Sequence, residues 1–161
     1  ADGPVLKIDI EASGEYILAE QLIIDGWVNC DPNFNLDLND SKIKIIHVFQ
    51  MLCPGCIYHG IPQTTELYNK FNSDKVVVVG LHSVFEDHDD MIPELLEDFI
   101  KEFELPFPIA IDKRLEGEWM PETMKLYQFQ GTPSTLIIDQ SGNVKIIFFG
   151  VLESNKIEAI I

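Results

Sequence analysis

The sequence predicts an α/β protein with a mixed central sheet flanked by helices. Segments of strand-like composition alternate with segments of helical periodicity through the middle of the chain, which is typical of a parallel sheet. Residues 76–81, VVVVGL, form a continuous apolar run, as expected for a strand that is buried on both faces. Two further strand-like segments flank the turn residues 140–143, and this hairpin adds an antiparallel edge to the sheet.

The predicted elements follow one another in a regular order. At the N-terminus we expect a β-hairpin, because residues 5–10 alternate apolar and polar side chains, Ser13 and Gly14 form a turn, and residues 16–24 have the composition of a returning strand. Residues 27–40 are rich in turn formers and are expected to wrap around the main body. The remaining strands are predicted at residues 43–49, 76–81, 108–111, 134–139 and 144–149. Helices are predicted at residues 56–71, 93–103, 122–129 and 155–161.

Length and composition are those of a globular domain. With 161 residues the chain can bury one sizeable core, and we expect a single domain over residues 1–161, in which residues 1–25 are an N-terminal β extension. The formal net charge of −16 argues against nucleic acid and anionic membrane surfaces as partners. No apolar run reaches the roughly 18 residues that a membrane span needs. No signal region is visible at the start, and the sequence leaves the compartment open between cytoplasm and periplasm.

Two cysteines, Cys53 and Cys56, stand where a predicted strand gives way to a predicted helix. At a helix start this CxxC spacing brings the two sulfur atoms within bonding distance, so a disulfide can form with little backbone movement. The positive end of the helix dipole favours the thiolate of the first cysteine. Cys53 should therefore be the more exposed nucleophile that attacks a substrate disulfide, and Cys56 the more buried thiol that resolves the mixed disulfide.

The same pair of cysteines admits two other interpretations. Together with His59 the pair supplies three ligands of a zinc site, but a structural zinc site needs four and the sequence has no second CxxC motif, so we expect no metal. The pair could also be inert, since free cysteine is often buried for packing. The third cysteine, Cys30, is distant in sequence and has no predicted role. His82 and His88 fit a solvated loop better than a metal site, because they show no recognised ligand spacing.

A second motif, Gly131-Thr132-Pro133, directly precedes the predicted strand at residues 134–139. The order of strand, CxxC, proline-containing helix, strand, helix, Thr-Pro, hairpin and final helix resembles the thioredoxin fold, and more closely the TlpA/ResA-like and AhpC/TSA-type redoxin family. The segments LPFPIAID (105–112) and QGTPSTLIID (130–139) are similar to sequences of that branch, as is the lead-in WVN (27–29). The resemblance covers roughly residues 26–161.

The resemblance implies a site and an activity. In this family the proline after the threonine is cis and lies across from the CxxC motif, so we expect a cis Thr132–Pro133 peptide whose neighbours pair with an extended substrate chain. Pro54, Gly55, Thr132 and Pro133 are the predicted substrate-binding residues. The implied activity is thiol–disulfide exchange with disulfide- or thiol-containing proteins and an unidentified electron donor or acceptor. No cofactor is expected beyond a redox-active disulfide between Cys53 and Cys56.

Two departures from the family pattern concern the chemistry of the pair. The dipeptide Pro54-Gly55 reverses the Gly-Pro order of thioredoxin, and because this dipeptide tunes thiolate stability, the direction of electron flow stays open. His47 occupies the position of the buried aspartate of thioredoxin, six residues before Cys53. It is either a proton shuttle for Cys56, with a pKa that suits neutral pH, or a packed core residue.

A third departure lengthens the start of the helix after the motif. The family usually places a proline five residues after the second cysteine, whereas Pro62 comes six residues after Cys56. The neighbouring Gly60 therefore predicts a local bulge that absorbs the extra residue.

The sequence also admits two functions other than disulfide exchange. A thiol peroxidase of the peroxiredoxin type would use Cys53 to attack peroxide and Cys56 to resolve the product. Peroxiredoxins place Thr or Ser three residues before the attacking cysteine and an arginine close by, whereas this chain has Gln50 there and Arg114 as its only arginine, which weighs against a peroxidase. The other rival is a non-enzymatic binding module that uses the cis-proline groove.

Overall fold

The computed structural model describes residues 17–71 and 74–161 and the backbone of residues 7–9. These residues form seven strands: β1 (Lys7–Asp9), β2 (Ile24–Val28), β3 (Ile43–Phe49), β4 (Val76–His82), β5 (Ile109–Asp112), β6 (Ser134–Ile138) and β7 (Val144–Phe149). They also form four α-helices: α1 (Ile61–Phe71), α2 (Pro93–Phe103), α3 (Glu122–Tyr127) and α4 (Ser154–Ile160). A π-helical turn at Cys56–Gly60 leads into α1, and a 3₁₀ turn at His88–Asp90 precedes α2. No helix in this part of the chain is long and apolar enough to cross a membrane.

All seven strands belong to one sheet, in the order β1-β7-β6-β3-β4-β5-β2. The pairs β3–β4 and β4–β5 are parallel, and the other four pairings are antiparallel. The predicted mixed sheet of an α/β fold is therefore confirmed. β3 is buried along its whole length because it lies near the middle of the sheet, between β4 and β6.

The side chains of β3 alternate between the two faces of the sheet. Ile46 and Val48 belong to the apolar cluster that α3 covers, whereas Ile45 and Phe49 belong to clusters that contain residues of α1, α2 and α4. His47 shares a face with Ile45 and Phe49, because residues two apart in a strand point to the same side. It therefore lies on the side of the sheet that α1 covers.

The predicted N-terminal hairpin is wrong. β1 pairs with β7 at one edge of the sheet, and β2 pairs with β5 at the opposite edge. Residues 17–23 are not a strand and make one isolated bridge, from Leu18 to Asn143. An isolated two-stranded hairpin is only marginally stable, whereas each open edge of the core sheet offers a row of unpaired backbone groups. The rest of the predicted hairpin, at residues 5–6 and 10–16, lies outside the described residues.

The C-terminal ends of β3 and β4 meet at one end of the sheet, which carries the predicted site. There the Ser83 N–H donates a hydrogen bond to the Phe49 carbonyl at 3.0 Å. β6 runs antiparallel to β3 and begins with Ser134 opposite Val48. The loop before β6, which contains Thr132 and Pro133, therefore reaches the same end of the sheet as the CxxC motif.

Candidate active site

The CxxC motif follows β3 after a short turn, and hydrogen bonds fix the position of Cys53. The Cys53 N–H donates to the Gln50 carbonyl at 3.2 Å, and the Cys53 carbonyl accepts from the Ile57 N–H at 3.0 Å. The Cys56 N–H points at the Cys53 sulfur, 3.3 Å away. Both cysteines are free thiols; Cys53 is half-buried and Cys56 is fully buried. The predicted difference in exposure between the two cysteines is therefore present.

The surroundings of the two thiols push their pKa values apart. The Cys56 thiol acts as a hydrogen-bond donor and lowers the pKa of Cys53 from 9.0 to about 6, aided by the Thr132 hydroxyl and by the N–H groups of Cys56 and Gly55, against the opposing effect of burial. Burial raises the pKa of Cys56 far above its ordinary value, and the neighbouring Cys53 adds to the rise. At pH 7 the pair therefore holds one negative charge, on the more accessible sulfur.

The loop before β6 packs directly against the cysteine pair. The Thr132–Pro133 peptide is cis, as predicted. The Cys53 thiol donates to the Thr132 carbonyl at 3.4 Å. A Cβ atom on Gly55 would lie 3.1 Å from Pro133 Cδ, so the two loops are in close contact at this position. The structure thus brings the predicted substrate-binding residues Gly55, Thr132 and Pro133 together with Cys53, and Pro54 is exposed beside them.

His47 lies beneath the π-helical turn and not at the surface of the site. Its side chain is 3% exposed, and its ring is parallel to the Phe49 ring with centroids 5.8 Å apart. The Nε2 atom is buried and has no hydrogen-bond partner. Complete burial lowers the pKa of His47 from 6.5 to about 3, so the ring is neutral at pH 7. The expectation of a histidine that titrates near neutral pH is therefore wrong.

The π-helical turn at Cys56–Gly60 is the bulge that the sequence predicted. It closes with a hydrogen bond from the Ile61 N–H to the Cys56 carbonyl, five residues back instead of four. The extra residue is absorbed before Pro62, which then lies in the first turn of α1. A Cβ atom on Gly60 would come within 2.5 Å of His47 Nε2, so only glycine leaves room for the histidine ring below the turn.

Replacing Gly60 by alanine should destabilise the protein by about 1–3 kcal/mol through overpacking, although alanine is the better helix former. The added methyl group would lie 2.3 Å from His47 Cε1, and the ring is held against Phe49. Urea unfolding of G60A and wild type measures the difference. The double variant H47A/G60A is the matched control, because without the ring the second substitution should cost nothing relative to H47A alone. Equal destabilisation in both backgrounds would contradict the contact.

Gln50 is a site residue whose role the sequence did not reveal. Its side chain is 1% exposed, and the amide contacts three partners. Nε2 donates to Glu86 Oε1 at 3.2 Å and to Thr132 Oγ1 at 3.3 Å, and Oε1 accepts from the Phe85 N–H at 3.2 Å. The available signal was a polar residue at the end of a buried strand, three residues before Cys53.

His82, His88 and the third cysteine serve the structure around the site or lie apart from it. The expected solvated loop is wrong for His82, which is buried at the end of β4; its Nε2 accepts from the Met51 N–H at 3.3 Å, and burial lowers the pKa of His82 to about 4. His88 contacts the Trp119 carbonyl through Nε2 at 2.9 Å. Cys30 follows β2, at the edge of the sheet. Within residues 17–71 and 74–161, no group of three or more His, Cys, Asp or Glu side chains could hold a metal ion.

Fold and site together define a class, the thioredoxin-like thiol–disulfide oxidoreductases. Comparison with solved structures supports it: a thiol-disulfide isomerase from Corynebacterium glutamicum is 41% identical, with a TM-score of 0.82, and the match covers 89% of this chain and 92% of that one. Among curated proteins, sporulation thiol-disulfide oxidoreductase A of Bacillus subtilis is 26% identical over 120 residues, which are 74% of this chain and 67% of that protein. Thiol-disulfide oxidoreductase ResA of Bacillus thuringiensis is 28% identical over 123 residues, 70% of this chain and 64% of ResA.

No protein-family model matches the chain. The similarity in sequence and fold to the thiol-disulfide isomerase and the two oxidoreductases nevertheless assigns the chain to a family. The chain belongs to the thioredoxin-like superfamily, in its TlpA/ResA type, and is a thiol–disulfide oxidoreductase. This result sets aside the non-enzymatic binding module as the main function.

Proposed function

We propose that Cys53 and Cys56 are the redox pair of this enzyme and that its substrates are proteins with a disulfide or a pair of thiols. One observation carries the proposal. The half-buried Cys53 sulfur lies between the Cys56 N–H and the Thr132 carbonyl, and its pKa of about 6 makes it a thiolate at pH 7. A thiolate with this access is the species that attacks a disulfide.

In the first step the Cys53 thiolate attacks one sulfur of the substrate disulfide. A bond forms between that sulfur and Cys53 Sγ, the substrate S–S bond breaks, and the second substrate sulfur leaves as a thiolate that takes up a proton. The attacking charge on Cys53 is thereby consumed. Because the negative charge of Cys53 is one cause of the raised pKa of Cys56, forming the mixed disulfide makes Cys56 easier to deprotonate.

In the second step Cys56 attacks Cys53 Sγ. The Cys53–Cys56 disulfide forms, the mixed disulfide breaks, and the first substrate sulfur leaves as a thiol after taking up a proton. The substrate gains two electrons and two protons, and the enzyme dithiol becomes a disulfide; the reverse sequence oxidises a substrate dithiol. The Gln50 N–H and the Thr132 hydroxyl both lower the pKa of Cys56, and once Cys53 is in the mixed disulfide the hydroxyl is free to stabilise the Cys56 thiolate.

The two roles predicted for His47 are not equally supported. A ring whose pKa is about 3 is a weak base and takes the Cys56 proton only at a large cost in free energy. The same ring fills the space between Phe49 and Gly60. We therefore propose that His47 packs beneath the π-helical turn and shapes the start of the helix, while the departing substrate thiolate and solvent exchange protons with Cys56.

The surface next to the pair favours a protein substrate. Leu52 precedes Cys53 and is 55% exposed, and Tyr58 follows Cys56 and is 74% exposed. Two large apolar side chains on either side of a reactive thiol suit contact with a polypeptide. We further propose that an extended segment of that polypeptide lies along the loop at Thr132, whose carbonyl contacts the Cys53 sulfur.

Disulfide exchange fits the site better than peroxide reduction. A peroxidase needs a polar group beside the attacking cysteine that is free to hold the peroxide, but both amide hydrogens of Gln50 are donated to protein oxygens. Arg114 donates to the Glu118 carbonyl, in the loop after β5. We therefore expect peroxide to react with Cys53 only as with any accessible thiolate.

The test is to measure insulin-disulfide reduction and hydrogen peroxide consumption side by side, with dithiothreitol as reductant and one enzyme concentration. We expect catalysed insulin reduction and peroxide loss that barely exceeds the dithiothreitol background. Enzyme whose thiols have been alkylated with iodoacetamide is the control and should be inactive in both assays. Rapid peroxide turnover without insulin reduction would contradict the proposed function.

A further inference from the structure

Gln50 contacts the CxxC motif and both of the loops that lie beside it. Its carbonyl accepts the Cys53 N–H at 3.2 Å, and its own backbone N–H lowers the pKa of Cys56. Its buried side chain reaches the loop before β6 at Thr132 and the loop after β4 at Phe85 and Glu86. A buried amide with this many partners is a fixed part of the site and not a surface residue near it.

The contacts of the amide fix its orientation. The Phe85 N–H is a donor, so the group that faces it must be the Gln50 carbonyl oxygen, Oε1. Nε2 therefore points towards Thr132 and Glu86, and its two hydrogens serve these two oxygens. A glutamine that is flipped would leave the Phe85 N–H facing another donor, which is unfavourable in a buried position.

This orientation determines in which direction the Thr132 hydroxyl can donate a hydrogen bond. Oγ1 accepts a hydrogen from Gln50 Nε2 at 3.3 Å, so the hydroxyl cannot donate in that direction and its own proton is left for another acceptor. Thr132 contacts the Cys53 sulfur, because its carbonyl accepts from the Cys53 thiol at 3.4 Å, and its hydroxyl lowers the pKa of Cys53. We propose that Gln50 is a positioning residue of the redox site, whose amide holds the Thr132 hydroxyl so that it donates its proton to the Cys53 sulfur.

The arrangement provides a partner for each protonation state of Cys53. As a thiol, Cys53 donates to the Thr132 carbonyl at 3.4 Å; as a thiolate, it accepts from the Thr132 hydroxyl. Gln50 holds the Thr132 hydroxyl with its proton directed at the Cys53 sulfur before the thiolate forms. The hydroxyl therefore does not have to reorient when Cys53 loses its proton. The inference rests on the proposed role of Cys53 and adds the residue that tunes it.

Replacing Gln50 by methionine should raise the pKa of Cys53 by about 0.5 to 1 unit. Without the amide, the Thr132 hydroxyl is no longer held in the orientation in which it donates to the Cys53 thiolate, so this hydrogen bond is weakened. The length and volume of the side chain are kept. The measurement is the pH dependence of thiolate absorbance at 240 nm, or of the alkylation rate of Cys53, whose wild-type midpoint should lie near the pKa of about 6. Q140M, at the exposed turn between β6 and β7, is the matched control and should leave the midpoint unchanged.

A double-variant cycle separates this role from a general loss of packing. T132V removes the hydroxyl and should raise the Cys53 midpoint at least as much as Q50M, while Q50M/T132V should show no further rise beyond T132V. Q50E gives a second measurement should Q50M fold poorly. Its carboxylate would accept the Thr132 proton and withdraw it from Cys53, so the midpoint should rise more than in Q50M.

An unchanged midpoint in both Gln50 variants, or an effect of Q50M that adds in full to that of T132V, would overturn the proposal. The titration needs no substrate. Absence of insulin reduction by the wild-type enzyme would therefore count against the proposed function alone, while a flat response to the Gln50 variants would count against the positioning role alone.

Discussion

Replacing Cys53 by serine should lower insulin-disulfide reduction at least about 1000-fold, a loss of about 4 kcal/mol of transition-state stabilisation. The only thiolate of the pair at pH 7 disappears, and Cys56 is buried with a raised pKa, so it cannot take over the attack. Replacing Cys56 by serine should have a different result. The first attack still occurs, but the mixed disulfide with the substrate is not resolved and accumulates.

Mass spectrometry of the C56S enzyme after incubation with a disulfide-containing protein detects this covalent complex, and dithiothreitol should release it. C30S is the matched control, because Cys30 is also a partly accessible cysteine but lies at the end of β2, and it should keep full activity and form no complex. A complex that forms with C53S but not with C56S would show that the roles of the two cysteines are reversed.

Lowering the pH from 7 to 5 should destabilise the folded protein by about 4 kcal/mol through its two buried histidines. Burial lowers the pKa of His47 to about 3 and that of His82 to about 4, whereas each is near 6.5 in an unfolded chain. Below pH 6.5 the unfolded chain therefore binds two protons that the folded protein excludes. Stability is fully present above pH 6.5 and falls by about 1.4 kcal/mol per pH unit for each histidine until the folded pKa is reached.

Urea unfolding at several pH values measures this dependence. H82Q keeps an acceptor for the Met51 N–H and should reduce the loss of stability between pH 7 and 5 by about 2 kcal/mol, as should H47Q. H59Q changes an exposed histidine and is the control, which should keep the wild-type slope. Burial raises the pKa of Asp112, an effect of opposite sign, but this carboxyl is common to all variants and cancels in the comparison. A slope that both substitutions leave unchanged would contradict the burial of neutral histidines.

The outcome for the N-terminal strands shows where a sequence pattern stops being informative. Alternation of apolar and polar residues predicts a strand, and β1 is indeed a strand, but the pattern carries no information on its partner. β1 and β2 lie at opposite edges of the sheet because β7 and β5 each have an open edge there. Pairing in a sheet depends on which edges are left unpaired when the core has formed, and this is a property of the whole chain.

His47 shows the same limit for a functional residue. Its position six residues before Cys53 indicated a residue below the active site, and the structure places it beneath the π-helical turn. The pKa of a histidine depends on solvation, however, and its complete burial against Phe49 and Gly60 is decided by the packing of α1 on the sheet. A position can be inferred from spacing, but a charge state cannot.

By itself the sequence determined the features that depend on neighbouring residues. The CxxC spacing at the end of β3, the Thr-Pro motif before β6 and the bulge at Gly60 are all local, because they arise from backbone geometry over a few residues. Only the tertiary structure decided how these pieces act on one another. The partners of the Gln50 amide are 35, 36 and 82 residues away in sequence, and no local pattern connects them. The low pKa of Cys53, and with it the reactivity of the pair, depends on such contacts because a thiolate is stabilised by whatever donors the fold brings within hydrogen-bond distance.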